Sequence, residues 1–148
     1  LPAGQPGEIV VNGSHVLKGY LNGVGDSETK FSVGDAIWHR TGDCGYIDER
    51  GRLWLMGRAS AVIRDSRGTL YPFAAECAAM QMPQVHRAAV LGRNGSRILY
   101  VQPRGAADVD TAALRENLAW AFIDIVKKLD SIPLDRRHNA KVDYTRLS

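Results

Sequence analysis

The stretch that most constrains this chain is residues 38–58, WHRTGDCGYIDERGRLWLMGR, in which two extended runs close on each other over a very short connection. Tyr46, Ile47 and Asp48 face Leu53 to Met56 across Glu49-Arg50-Gly51. Leu53 and Leu55 fall on one side of the pleat and Trp54 and Met56 on the other, the period-two pattern of a β-hairpin. Just upstream, Gly42 and Gly45 bracket Asp43 and Cys44, so the spacing predicts a tight turn at Asp43 where a ligand can approach the main chain. An ionised carboxylate in such a turn accepts from two vicinal hydroxyls at once, and a ribose diol is the commonest biological match. The plainer reading is that Asp43 closes a turn.

Composition sets the limits around this hairpin. With 45% apolar residues in 148, the chain can bury a core, at a length near one average domain or two small units. Its formal charge of +3 comes from 19 basic and 16 acidic residues that are interspersed, which describes a solvated surface and excludes a nucleic-acid footprint. The basic doublets are Lys127-Lys128, expected at a helix C-terminus where cations suit the dipole, and Arg136-Arg137. No metal-ligand spacing joins Cys44 and Cys77 to His15, His39, His86 or His138, so the cysteines read as thiols of a reducing cytoplasm and no metal site is expected. No apolar run approaches the roughly 20 residues of a membrane span. Leu1 opens without a signal pattern, and LPAGQPGEIVVNG reads as the middle of a longer chain.

Residues 8–12 form a short strand on Ile9, Val10 and Val11, and Asn12-Gly13 predicts a hairpin into a second strand at 15–17. Residues 22–30 read as a surface loop. After Arg58 the pattern changes. Residues 61–64 and 69–71 are extended and joined by Asp65-Ser66-Arg67-Gly68, with Pro72 suited to the first turn of a helix over 73–81 that Pro83 stops. Residues 85–91 and 97–102 pair across Asn94-Gly95. Asp108 or Asp110 caps a helix carrying Leu114, Leu118, Ala121, Ile125 and Leu129 at helical spacing. An extended piece at 132–134, a polar loop at 135–140 and Lys141-Val142-Asp143-Tyr144 follow. The fold class is α+β: a β-rich segment over 1–57, then a compact unit over 58–148 in the order ββαββα with a terminal strand.

HRTGD at His39 to Asp43, then GYID, then GRLWLMGR resemble in order and spacing the ribose-binding motif and domain boundary of the adenylate-forming superfamily: acyl-CoA synthetases, luciferases and peptide-synthetase adenylation domains. The resemblance implies that Asp43 and Arg58 hold the ribose of ATP. It also implies that 1–57 is the end of a large adenylating domain and 58–148 a small mobile lid. The terminal RRHNAKVDYTRL resembles that superfamily's last motif, which makes Lys141 the catalytic lysine that touches the carboxylate and the α-phosphate during adenylation. A desolvated ammonium there stabilises the negative charge gathered as carboxylate attacks phosphorus. Without the resemblance, a loop lysine is ordinarily just solvated. Arg40 and Thr41 are read as shaping the turn, His39 is assigned no chemistry, and His138, three residues from Lys141, is read as a hydrogen-bonding element, with an acid or base near pH 7 as the alternative. Two departures stand out: Ser60 occupies the pivot position where relatives usually carry a charge, and Asn139-Ala140 precedes the lysine where they commonly have Ser-Gly.

The strings WHRTGD, GRLW, GTLY and RHNAK are similar to the β-lactone synthetases of long-chain olefin biosynthesis. The implied parent enzyme converts a fatty or 3-hydroxy fatty acid and Mg-ATP to an acyl-AMP, followed by a thioester with CoA or by a β-lactone. A phosphate loop, an adenine pocket and an acyl tunnel are absent from the sequence; these, with most Mg contacts, are assigned to the N-terminal domain of the same protein. The chain by itself is therefore expected to be inactive. The rival reading is a non-catalytic interaction module that kept the fold and lost the site.

Overall fold

A computed structural model describes residues 1–135 and 141–147, and the chain divides into two compact units, Leu1–Ser60 and Ala61–Ser148. In the first unit the long strand β3 (Ala36–Ile47) is the spine of an antiparallel sheet. Strand β1 (Gly7–Val11) runs along one edge of it, and β2 (Lys30–Val33) and β4 (Leu53–Arg58) lie successively along the other. The expected hairpin between β3 and β4 is present. Its turn is built on Asp48, whose Oδ1 accepts from the Arg50 and Arg52 amides at 2.9 Å each, and whose Oδ2 accepts from Trp54 Nε1 at 2.9 Å and Arg52 Nε at 2.7 Å.

The indole N–H of Trp54, followed by the Arg52 amide, brings the Asp48 carboxyl down from 3.8 to about 2. In the unfolded chain that carboxyl takes up its proton near the ordinary value, whereas in the folded hairpin it stays ionised until about 2. Its contribution is thus complete above about pH 4 and is lost as the pH falls toward 2. An acid titration of Trp54 fluorescence is expected to show this loss in the native chain, and Asp48→Asn is expected to flatten the hairpin's pH dependence in that window.

Two expectations for this unit need correction. Residues 15–17 are not a strand, because β1 pairs with β3 instead: Asn12 Nδ2 donates to Ile37 O at 2.6 Å, and Val16 N closes a turn on Gly13 O at 3.0 Å. The region read as a loop holds a 3₁₀ turn, Leu21–Gly23, and a short helix α1 (Asp26–Thr29), with Asp26 Oδ1 accepting from the Tyr20 amide at 2.9 Å.

The second unit opens with a hairpin, β5 (Ile63–Asp65) and β6 (Gly68–Leu70), and continues into helix α2 (Pro72–Met80), with proline in its first turn as expected. Strands β7 (Val85–Arg93) and β8 (Ser96–Pro103) pair across Asn94-Gly95, both at positive φ, the two-residue turn that matches strand twist. Helix α3 (Thr111–Asn117) is capped by Asp110, which accepts from the Ala112 and Ala113 amides at 2.9 and 3.1 Å. Strand β8 is buried on both faces, which is why it reads as an unbroken apolar run. Leu99 and Val101 join Ala75, Ala79, Leu114 and Leu118 on one face, while Ile98 and Tyr100 join Ala89, Ile132 and Leu147 on the other.

The long helix expected through Leu129 ends early. After Asn117 the chain makes a 3₁₀ turn, Phe122 takes φ +51°, and residues Ile125–Lys128 form β9, parallel to β8. The open edge of β8 carried unpaired amides and carbonyls, and pairing them outweighs continuing a helical period. Asp124 fixes the entry: its amide donates to Arg97 O at 2.9 Å, and its Oδ2 accepts from Arg97 N at 2.7 Å. Lys127 and Lys128 consequently lie on a strand and cap no helix. The buried Arg97 reaches back to the hairpin, its Nε and Nη2 each 2.8 Å from the Asp65 carboxylate, and donates to Gly68 O and Ala121 O as well. Both charges are therefore met by directed bonds, the condition for burying an ion pair. The α+β class is the one expected. Among the described residues no helix is long and apolar enough to cross a membrane.

Candidate functional site

Register along β3 creates the site. Glu8 pairs with Cys44 and Val10 with Arg40, so Thr41, Gly42 and Asp43 together face Ile9 alone. This is a β-bulge, which re-aims side chains without ending a strand. Asp43 therefore does not sit in a turn after an extended run, as the glycine spacing suggested; β3 continues through it to Ile47. Thr41 closes the bulge, with its hydroxyl donating to Ile9 O at 2.8 Å and accepting from the Asp43 amide at 3.1 Å.

Gly42 is required by its backbone, and its missing side chain leaves the place that the Arg58 guanidinium takes. Its φ is +72°, and a Cβ built there would stand 2.9 Å from Arg58 Nη2. On the other edge Asp43 pairs with Arg58 and Cys44 with Gly57, but Gly45 pairs with Leu55, so Met56 is an extra residue in β4. The second bulge turns Arg58 onto the first. Arg58 Nη1 donates to Asp43 Oδ1 at 2.8 Å and to Thr41 O at 3.2 Å.

The Asp43 and Arg58 side chains are 29% and 36% exposed, so the pair is reachable from solvent. Among the described residues none donates to Asp43 Oδ2, which leaves that oxygen for a hydroxyl donor. Arg40 bonds Glu8 at 2.6 Å and lies 5.0 Å from the Phe31 ring centroid, so it braces β1 and β2. His39 packs edge-on to Tyr20 with ring centroids 6.4 Å apart, and its buried Nδ1 has no hydrogen-bond partner among the described residues.

Lys141 lies in the second unit with an exposed side chain. Its carbonyl accepts from the Asp135 amide at 2.8 Å, Leu134 and Val142 form an antiparallel bridge, and the Asp143 amide donates to Pro133 O at 2.9 Å. The lysine thus stands on one arm of a short clasp. His138, Asn139, Ala140 and the Arg136-Arg137 doublet lie outside the described residues. No group of three or more His, Cys, Asp or Glu side chains among the described residues could hold a metal ion.

Sequence reasoning missed Glu76 and Tyr144. Glu76, on α2, is 5% exposed, and its Oε1 accepts from the Val90 amide at 2.9 Å and from Tyr144 Oη at 2.8 Å. Burial pushes its carboxyl up from the usual value. The available signal was an acid sharing a helix face with Pro72 and Ala79, both core positions.

No protein-family profile matches the chain. Over its whole length it is 31% identical to the olefin beta-lactone synthetase of Xanthomonas campestris pv. campestris, of which it spans 30%. It is similar to the O-succinylbenzoate coenzyme A synthetase of Bacillus subtilis in complex with AMP, with a TM-score of 0.84 and 26% identity, over 99% of this chain and 31% of that one. The chain belongs to the AMP-forming ligase superfamily. A further ligase-superfamily neighbour is the amide bond synthetase McbA from Marinactinospora thermotolerans, at TM-score 0.82 and 28% identity, covering 98% of this chain and 31% of that one. The resemblance drawn from HRTGD and its surroundings is therefore correct, and the α+β fold is that of the superfamily's C-terminal region. The chain spans about a third of the length of these relatives.

Proposed function

We propose that this chain is the C-terminal part of an ATP-dependent ligase that activates a carboxylic acid as its acyl-AMP, with residues 1–57 ending the large adenylating domain and 58–148 serving as its mobile lid. The observation that carries the reading is the Asp43–Arg58 pair, 2.8 Å apart on two facing bulges and open to solvent. Asp43 accepts from the ribose hydroxyls, and Arg58 both orients that carboxylate and donates to the sugar. Lys141 brings its ammonium to the carboxylate oxygen and α-phosphate, where negative charge accumulates. Mg²⁺ offsets the charge of the ATP phosphates when bound, and it is assigned mainly to the N-terminal domain of the same protein. The reduced Cys44 and Cys77 suit a cytoplasmic enzyme.

For the acid, the whole-length identity to an olefin beta-lactone synthetase favours a 3-hydroxy fatty acid over a simple fatty acid. The hydroxyl of such a substrate attacks its own acyl-AMP, expelling AMP and closing a β-lactone. An attached nucleophile has a very high effective concentration and needs no CoA. The test is NMR analysis of products formed by the complete protein from ATP and a 3-hydroxy fatty acid, with and without CoA. Lactone and AMP without CoA are expected. A thioester formed only with CoA, and no lactone, would assign the protein to the acyl-CoA synthetases. Absence of pyrophosphate release with any carboxylic acid would favour a non-catalytic module.

A further inference from the structure

We infer that Glu76 is a positioning residue for Lys141, acting through Tyr144 on the clasp that bears the lysine. The inference rests on the proposed role of Lys141. Among the described residues the Lys141 side chain makes no hydrogen bond or ion pair, so its direction follows from the backbone beneath it. One arm of that backbone is tied to the other by the Leu134–Val142 bridge and by the Asp135–Lys141 and Asp143–Pro133 bonds. Those bonds hold the clasp to itself. What fixes it to the domain is Ile132 and Leu147, buried against Tyr100 and Ala89, the bond from the Ile132 amide to Gln102 Oε1 at 3.1 Å on the first arm, and the bond from Tyr144 Oη to Glu76 Oε1 at 2.8 Å on the arm that carries Lys141.

On the arm that carries Lys141, the apolar contact at Leu147 holds a depth but leaves sliding and rotation open, because it is non-directional. Tyr144 lies between Lys141 and Leu147, where a directed bond removes that freedom. Glu76 is itself fixed. It is the fifth residue of a helix packed on β7, and it takes the Val90 amide at 2.9 Å on the open edge of the three-stranded sheet. A carboxylate in an Ala-rich, buried helix face is costly to desolvate, and no described cation pairs with it. An apolar side chain would fill the same space, so the acid is there for the bonds it accepts. The path runs from sheet edge to Glu76 to Tyr144 to the clasp.

The test uses the complete protein and follows acyl-adenylate formation by ATP–pyrophosphate exchange. Tyr144→Phe and Glu76→Ala are expected to lower kcat about ten- to a hundredfold, the scale of an ångström-level misplacement, with KM for ATP and acid within about twofold. Tyr144→Phe removes one hydrogen bond, so its thermal midpoint is expected to fall by no more than about 4–8 °C. Glu76→Gln, whose amide oxygen accepts the same two bonds, is expected to keep kcat within about threefold of the native protein. An unchanged kcat in Tyr144→Phe, a loss carried by KM, or a Glu76→Gln as slow as Glu76→Ala overturns the positioning role. Lys141→Ala measured in parallel separates the two readings: if it stays active both fall, and if it is slow while Tyr144→Phe is not, only the positioning role falls.

Discussion

Replacing Lys141 with Ala is expected to slow acyl-adenylate formation by about a hundred- to a thousandfold, the usual consequence of removing one preorganised donor aimed at developing charge. As carboxylate oxygen attacks the α-phosphorus, negative charge gathers on groups that were already anionic. An ammonium held there interacts more strongly with the transition state than with either reactant, so its loss falls on kcat. The backbone does not depend on it, since the bonds at this position come from the Lys141 carbonyl and the side chain is exposed. The variant is therefore expected to melt with the native protein, which separates chemistry from folding. Lys141→Arg is expected to rescue little, because a planar guanidinium spreads its charge over a fork and does not replace a compact ammonium. Single-turnover acyl-AMP formation measures the step directly. A rate within about threefold of native in Lys141→Ala would remove the lysine from the mechanism.

The parts of this molecule that were legible in the sequence are those set by neighbours in the chain. Tyr46 to Met56 announced its hairpin by period-two alternation and Gly51, and Pro72 and Asp110 announced the starts of α2 and α3. The errors are long-range. Asn12-Gly13 has a hairpin's composition, yet β1 found its partner in β3, a pairing that no local pattern encodes. Leu118, Ala121, Ile125 and Leu129 keep helical spacing, but the edge of β8 claimed Ile125–Lys128 as a strand, and Phe122 took the left-handed turn that allows it. Glu76 and Tyr144 could not be joined from sequence, because their bond depends on where the clasp docks.

The same distinction explains the proposed ribose site. Asp43 and Arg58 were singled out by motif, but the reason they meet is a matter of register: one bulge in β3 opposite Ile9 and another in β4 at Met56. A glycine turn and a glycine bulge look alike in sequence, since both need a residue free to take positive φ. The bulge has the stronger consequence, because it leaves Asp43 paired on the sheet while its carboxylate is turned to Arg58.

Asp43→Asn then isolates the carboxylate's charge, since Asn keeps the shape and one acceptor for Arg58 while exchanging the other oxygen for an amide that donates. Hydrogen bonds from hydroxyls to an ionised group contribute about 1.5–3 kcal/mol, so the variant's KM for ATP is expected to rise about ten- to a hundredfold. At saturating ATP kcat is expected to change much less, because the ribose is bound in ground state and transition state alike. The sharper measurement removes the partner from the other side. With 2′-deoxy- and 3′-deoxy-ATP the native enzyme is expected to lose affinity, whereas Asp43→Asn, which no longer has a charge for the hydroxyl to meet, is expected to lose little more. The difference between those losses is the coupling energy between Asp43 and each hydroxyl. If the deoxynucleotides are penalised equally in both proteins, or if Asp43→Asn binds ATP as tightly as the native enzyme, Asp43 serves only to receive Arg58 and close the bulge.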